Sequence, residues 1–183
     1  QDLFIQKIEE KRIYWSTLVE NEYWFSCEFS VPDLQIITTN HREVAETLQS
    51  IFYSCKTMNL NVLQSGYNIK SEINFNLNWG LGSSSSLISV IAQWLKVNAY
   101  DLNRKIFKGS GYDIACASVS SPLIYSIKSV TPLVKDVSFN PVFKEHLYFI
   151  WLNKKQDTRS EIVKLDGTKN YQLEVAQINA LTL

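Results

Sequence analysis

The residues best suited to chemistry in this chain are Gly80-Leu81-Gly82-Ser83-Ser84-Ser85, which run through Ser86 into the apolar-periodic stretch Leu87 to Leu95. Two glycines allow a tight turn and let backbone approach an anion. The serines offer hydroxyls, and a helix starting here aims unpaired N–H groups at the loop. The combination suits a phosphate group. It is not a Walker loop, because the closing Lys-Ser/Thr is missing, nor a dinucleotide fingerprint, because the third glycine is absent. The same residues would also serve as an ordinary helix cap without a ligand. A second group, Gly109-Ser110-Gly111-Tyr112-Asp113, is a flexible turn that presents one carboxylate just before Ile114-Ala115-Cys116-Ala117, read as a strand. An Asp in that place either takes a proton from a reacting oxygen or stabilises its own turn as an Asx residue.

Elements that would hold these groups are visible on either side. Three aromatic and β-branched runs, at 12–17, 23–29 and 34–38, predict a three-stranded meander punctuated by Glu20-Asn21-Glu22 and Pro32-Asp33. From Asn40, taken as an N-cap, Val44, Leu48, Ile51 and Phe52 fall at helical spacing and predict a helix. Residues 67–77 alternate and predict a strand leading straight into the glycine-serine loop. A short helix is expected over Ala99 to Phe107, two short strands over Ile114 to Ile127 around Ser120-Ser121-Pro122, and a strand pair bracketing Lys135-Asp136. Leu147-Tyr148-Phe149-Ile150-Trp151-Leu152 reads as a strongly apolar strand, with core and homodimer interface both open for it. A domain boundary near residue 140 divides 1–140 from 141–183.

Composition narrows the function classes. The 183 residues are 45% hydrophobic, enough for a packed core, and 18 basic residues balance 18 acidic ones. That balance argues against a nucleic-acid partner or a polybasic membrane surface. No apolar run is long enough to span a bilayer and no signal-peptide pattern opens the chain, so the expected location is cytoplasmic. Cys27, Cys55 and Cys116, an odd number without metal-ligand spacing, read as reduced core residues. His41 and His146 have no Ser or Cys partner implied by spacing. Trp79, just ahead of the loop, reads as an adenine-stacking ring or a core anchor. The chain opens on Gln1 without an initiator Met and closes inside an apolar segment, and reads as part of a longer protein.

Taken together, the two groups resemble the GHMP kinase superfamily. Asn78-Trp79-Gly80-Leu81-Gly82-Ser83-Ser84-Ser85 is similar to that family's nucleotide loop. Ser110-Gly111-Tyr112-Asp113 is similar to the Ser-Gly-x-Asp of mevalonate and phosphomevalonate kinases, and Gly111-Tyr112-Asp113-Ile114-Ala115 resembles a bacterial subgroup. The resemblance covers roughly residues 11–165. It implies an α+β fold, with an N-terminal domain like the second domain of ribosomal protein S5 followed by the start of a ferredoxin-like domain. It further implies ATP and Mg²⁺ as cofactors and a small-molecule acceptor, with mevalonate or phosphomevalonate nearest. Gly80, Leu81, Gly82, Ser83, Ser84 and Ser85 would wrap the ATP phosphates, Ser84 would touch the magnesium ion, and Asp113 would be the general base. Ser110, Gly111 and Thr158, with Lys154 or Lys155, would contact the acceptor. The family's acidic magnesium ligand has no counterpart between Ser84 and Asp113 except Asp101, so the alternative is a nucleotide-binding regulator without turnover.

Overall fold

The structure, a computed structural model, describes residues 1–128 and 131–152, and beyond these only positions 172, 176, 177 and 180. The chain divides into two compact units, Gln1–Trp151 and Leu152–Leu183. All elements below belong to the first unit, whose described residues form a mixed α+β fold.

Five strands make one sheet: β1 (Asp2–Ile8), β2 (Arg12–Val19), β3 (Glu22–Ser30), β4 (Ile36–Thr39) and β5 (Gly66–Ile73), in the order β1-β5-β2-β3-β4. The expected meander is present as β2, β3 and β4. Glu20 and Asn21 turn β2 into β3 with φ of 51° and 69°, the paired positive values of the hairpin turn whose twist matches its strands. Strand β1, with mostly exposed side chains on a sheet edge, carries no clear alternation and was not anticipated.

The sheet is mixed because β5 inserts between two strands that are consecutive in sequence. It runs parallel to β2 and antiparallel to β1. The short link from β1 to β2 must therefore cross the start of β5, and Gly66 lies beneath it. A Cβ built on Gly66 would sit 1.7 Å from the Glu10 carbonyl oxygen and 2.8 Å from that of Arg12. Only glycine admits this approach of two backbones.

One face of the sheet is covered by helix α1 (Arg42–Met58), whose buried residues Ala45, Leu48, Ile51, Phe52 and Cys55 recur at helical spacing. Phe52 is the centre of the aromatic core. Its ring lies 5.9 Å from Trp15 on β2, 5.6 Å from Phe29 on β3 and 6.4 Å from Trp94 on α2 (Ser83–Leu95). Asn40 does not cap α1. Its side chain accepts from the Ser26 N–H at 2.8 Å and donates to the Trp24 carbonyl at 3.1 Å, extending the β3–β4 ladder, and His41 takes the N-cap position instead.

After α2 come α3 (Ala99–Ile106), α4 (Tyr112–Ala117) and the hairpin β6 (Leu123–Lys128) with β7 (Thr131–Asp136), which pairs separately from the main sheet. Three expectations are corrected here. Residues Ile114 to Ala117 are helical, because Gly111 at a left-handed φ of 90° redirects the chain and lets a helix start. Lys135 and Asp136 end β7 and do not separate two strands, since β7 runs antiparallel to β6 and Leu123 pairs with Asp136. Leu147 to Leu152 form no strand and are exposed, as no neighbouring ladder among the described residues satisfies their backbone. No helix among the described residues is long and apolar enough to cross a membrane.

Cys27 and Cys55 are buried as expected, whereas Cys116, on the short helix α4, is exposed. Burial pushes the Cys27 thiol up to about 11 and that of Cys55 to about 12, against about 8.5 for a free thiol. The folded state thus keeps protons that the unfolded chain releases, so stability is complete below about pH 8.5 and declines as pH rises toward these values.

Two outcomes follow. Gly66→Ala should destabilise the protein by about 3 kcal/mol or more in urea denaturation, because the new Cβ meets backbone that has no rotamer to change. A thiol reagent at neutral pH should modify one cysteine of the native chain and three after unfolding; fast labelling of all three in the native state would contradict the burial.

Candidate functional site

The segment between β5 and α2 is anchored before it reaches the glycines. The Glu20 N–H donates to the Ile73 carbonyl at 2.8 Å, tying the end of β5 to the β2–β3 turn. Asn76 then caps a short 3₁₀ turn over Leu77–Trp79, accepting from the Asn78 N–H at 3.0 Å. Trp79 is half-exposed beside the loop and is not a core anchor.

Gly80 (φ 72°, ψ 21°) and Gly82 (φ 77°, ψ 34°) both occupy the left-handed region, and nothing lies within 4 Å of a Cβ built on either. These two glycines are therefore required by backbone conformation, and the space around them is open. Gly82 is the N-cap of α2 and brings no side-chain acceptor, so no side chain caps the first turn. Helix α2 has 13 residues, so its uncapped N–H groups and dipole favour negative charge at this end. Ser84 is exposed. Ser86 has a structural use: its hydroxyl lies 2.8 Å from Gln1 Oε1 and 3.0 Å from the Ser83 carbonyl, while Gln1 Nε2 donates to the buried Ser71 at 2.8 Å.

The second expected group lies at the start of α4, which packs against both α2 and α3. Asp113 is exposed in the first turn of that helix rather than at the mouth of a strand. A carboxylate there is also favoured by the helix start itself. Gly111 is buried, with Tyr100 on one side and Tyr125 on another. A Cβ at that position would approach Tyr100 Cδ1 to 2.9 Å and the Tyr125 hydroxyl to 3.1 Å. The hydroxyl of Ser110 accepts from the Tyr112 N–H at 3.3 Å. The packing of α4 on α2 makes the two glycine-started helices neighbours, and no hydrogen bond links Asp113 to Gly80–Ser85.

Asp101, the one acidic side chain available in sequence for a magnesium ion, lies in the first turn of α3 and is ion-paired with Arg104. Among the described residues no group of three or more His, Cys, Asp or Glu is arranged to hold a metal ion. Thr158, Lys154 and Lys155 lie outside the described residues. His41 caps α1 with its ring 6.4 Å from Trp24, and His146 is exposed on a 3₁₀ turn.

Tyr100 and Tyr125 around Gly111, and Asn103 beside Gly109, belong to no motif in the sequence. For Tyr100 and Asn103 the one local signal is Asn98, whose side chain caps α3 by accepting from the N–H groups of Tyr100 and Asp101 at 2.9 and 3.1 Å, and so sets the helix that carries them.

Substituting the glycines separates conformation from packing. Gly80→Ala and Gly82→Ala should each cost about 1–2 kcal/mol, the strain of a left-handed alanine in open space. Gly111→Ala should cost clearly more, since strain adds to the collision with Tyr100; equal losses in urea titrations would contradict this assignment. Comparison with protein-family models, curated proteins and solved structures finds no match to this chain.

Proposed function

We propose that this protein is an ATP- and Mg²⁺-dependent kinase of the GHMP type, transferring the ATP γ-phosphate to a hydroxyl or phosphate of a small acceptor, with mevalonate or phosphomevalonate the nearest. The observation that carries this reading is the pair of left-handed glycines feeding an uncapped helix in open space, next to a second glycine-started helix that bears Asp113. The mixed sheet supports one finer part of the same proposal, an N-terminal domain like the second domain of ribosomal protein S5; the start of a ferredoxin-like domain proposed after it falls mostly outside the described residues.

In this reading the N–H groups of Gly80 to Ser85 hold the ATP phosphates, and the dipole of α2 stabilises their charge. Ser84, exposed in the first turn of α2, would hold the magnesium ion, which would neutralise charge on the transferred group when bound. Asp113 accepts the proton of the acceptor oxygen, and Ser110 and Gly111 border the acceptor. Phosphoryl transfer asks little covalent chemistry of a protein, so positioning and charge carry the rate.

A specific observation favours a second reading. Asp101 is paired with Arg104, and without an acidic magnesium ligand the protein would bind nucleotide and act as a regulator without turnover.

ATP consumption by the full chain with Mg²⁺, measured across mevalonate, phosphomevalonate, homoserine and sugar acceptors, tests both. The kinase reading expects acceptor-dependent turnover that Asp113→Asn lowers by about 10²–10⁴-fold. Full activity in that variant sinks the assignment of Asp113. A rise in Tm with Mg·ATP but no turnover on any acceptor supports the regulator, and no ATP effect on Tm leaves the glycines and serines with the starting of α2 as their role.

A further inference from the structure

Among the described residues no hydrogen bond or ion pair holds the Asp113 carboxylate, so within them its place is set by the backbone that leads into it. That backbone is a turn with glycine at both 109 and 111, which carries a large conformational freedom unless something restrains it. Two side chains from different elements do so. Tyr125, on β6, donates its hydroxyl to the Ser110 carbonyl at 2.6 Å. Asn103, buried in α3, directs its Nδ2 to the Gly109 carbonyl at 3.5 Å, while its own carbonyl accepts from the N–H groups of Phe107 and Lys108 at 2.8 and 3.1 Å.

Both restrained carbonyls precede Gly111, whose positive φ then delivers the chain into α4 and Asp113 within two residues. The ring of Tyr125 also meets that of Tyr112 edge-to-face at 5.7 Å, so the tyrosine is fixed at its ring as well as at its hydroxyl. Burial raises the Tyr125 phenol above its ordinary range, and the hydroxyl stays protonated and able to donate at neutral pH.

We infer that Tyr125 is a positioning residue: with Asn103 holding the other end of the turn, its bond to the Ser110 carbonyl fixes the Gly109–Gly111 backbone and through it the placement of the Asp113 carboxylate. The part of this inference that concerns turnover rests on the kinase reading; the restraint on the turn does not. Placement matters for a base because a misplacement of about 1 Å costs on the order of 10²-fold in rate.

The test compares the full wild-type chain with Tyr125→Phe, which removes only the hydroxyl. The control is Tyr14→Phe, which removes a similar phenol bond, Tyr14 to Glu10 at 2.8 Å, on the sheet. Amide exchange over 109–113 and steady-state ATP turnover with acceptor are both measured. Tyr125→Phe should speed exchange in this turn and lower kcat by about tenfold, the worth of one hydrogen bond. It should leave the KM for ATP unchanged and lower the Tm by no more than Tyr14→Phe does, while Tyr14→Phe should change neither the exchange in this turn nor kcat.

Unchanged exchange in Tyr125→Phe overturns the restraint. Faster exchange with wild-type kcat overturns the positioning role even if Asp113→Asn is inactive. Should Asp113→Asn keep full turnover, the assignment of Asp113 as base fails, and should no acceptor support turnover in the wild type, the kinase reading fails; either result takes the catalytic half of the inference with it, while the exchange result alone decides whether Tyr125 holds the turn.

Discussion

The contact on which the rest of the first unit depends is the crossing of two backbones at Gly66. Strand β5 reaches its place between β1 and β2 only by passing beneath the link at Glu10, at a distance no side chain tolerates. Once β5 is seated there, Ile69 and Ser71 are buried with Ile13 and Trp15, and Ile73 is positioned to receive the Glu20 N–H. The chain then leaves the sheet at one defined point. The glycine-serine loop and helix α2 begin a few residues later, so the position of the site follows from the position of that strand.

Burial secures the same arrangement from the other side. Phe52 on α1 touches rings from β2, β3 and α2, and Tyr67 on β5 meets Trp94 on α2 at 5.2 Å. Edge-to-face pairs of this kind each add about 0.5–1.5 kcal/mol beyond the area they bury. Helix α2 is thereby fixed along its length by apolar contacts, leaving its first turn free of any structural duty beyond that of Ser86. An uncapped first turn with Ser84 exposed, on a firmly held helix, is what the proposed anion site would need, with the core supplying the firmness and the two glycines the opening.

The two glycine-started helices differ in what their glycines do. At 80 and 82 the left-handed conformation lies in open space, whereas at 111 the same conformation is enclosed by Tyr100 and Tyr125. The first arrangement leaves room for a ligand close to backbone. The second leaves none and holds the chain still, which is what the proposed role of the turn in placing Asp113 would need.

Much of this was legible in the chain. Period-2 and helical patterns located β2 to β5, α1, α2 and α3, and the residue types around 80–85 and 109–113 marked both candidate groups, because short-range pattern reports which face of an element is buried. Strand β1 has little hydrophobic pattern to read because it is an edge strand with exposed side chains, and Asn40 is ambiguous in the sequence because a capping residue and a ladder-extending one are the same amino acid. Leu147–Leu152 shows the converse, an apolar run whose pairing no local pattern supplies. The sequence by itself determined which segments had the composition for strand, helix or loop, and which side chains could meet a phosphate or take a proton. Only the tertiary structure decided that β5 lies between β1 and β2, that Asp113 starts a helix, and that Tyr125 and Asn103 hold the turn before it. Those outcomes depend on contacts between residues far apart in the chain or on a backbone conformation that several residue types allow, and local periodicity carries no information about either.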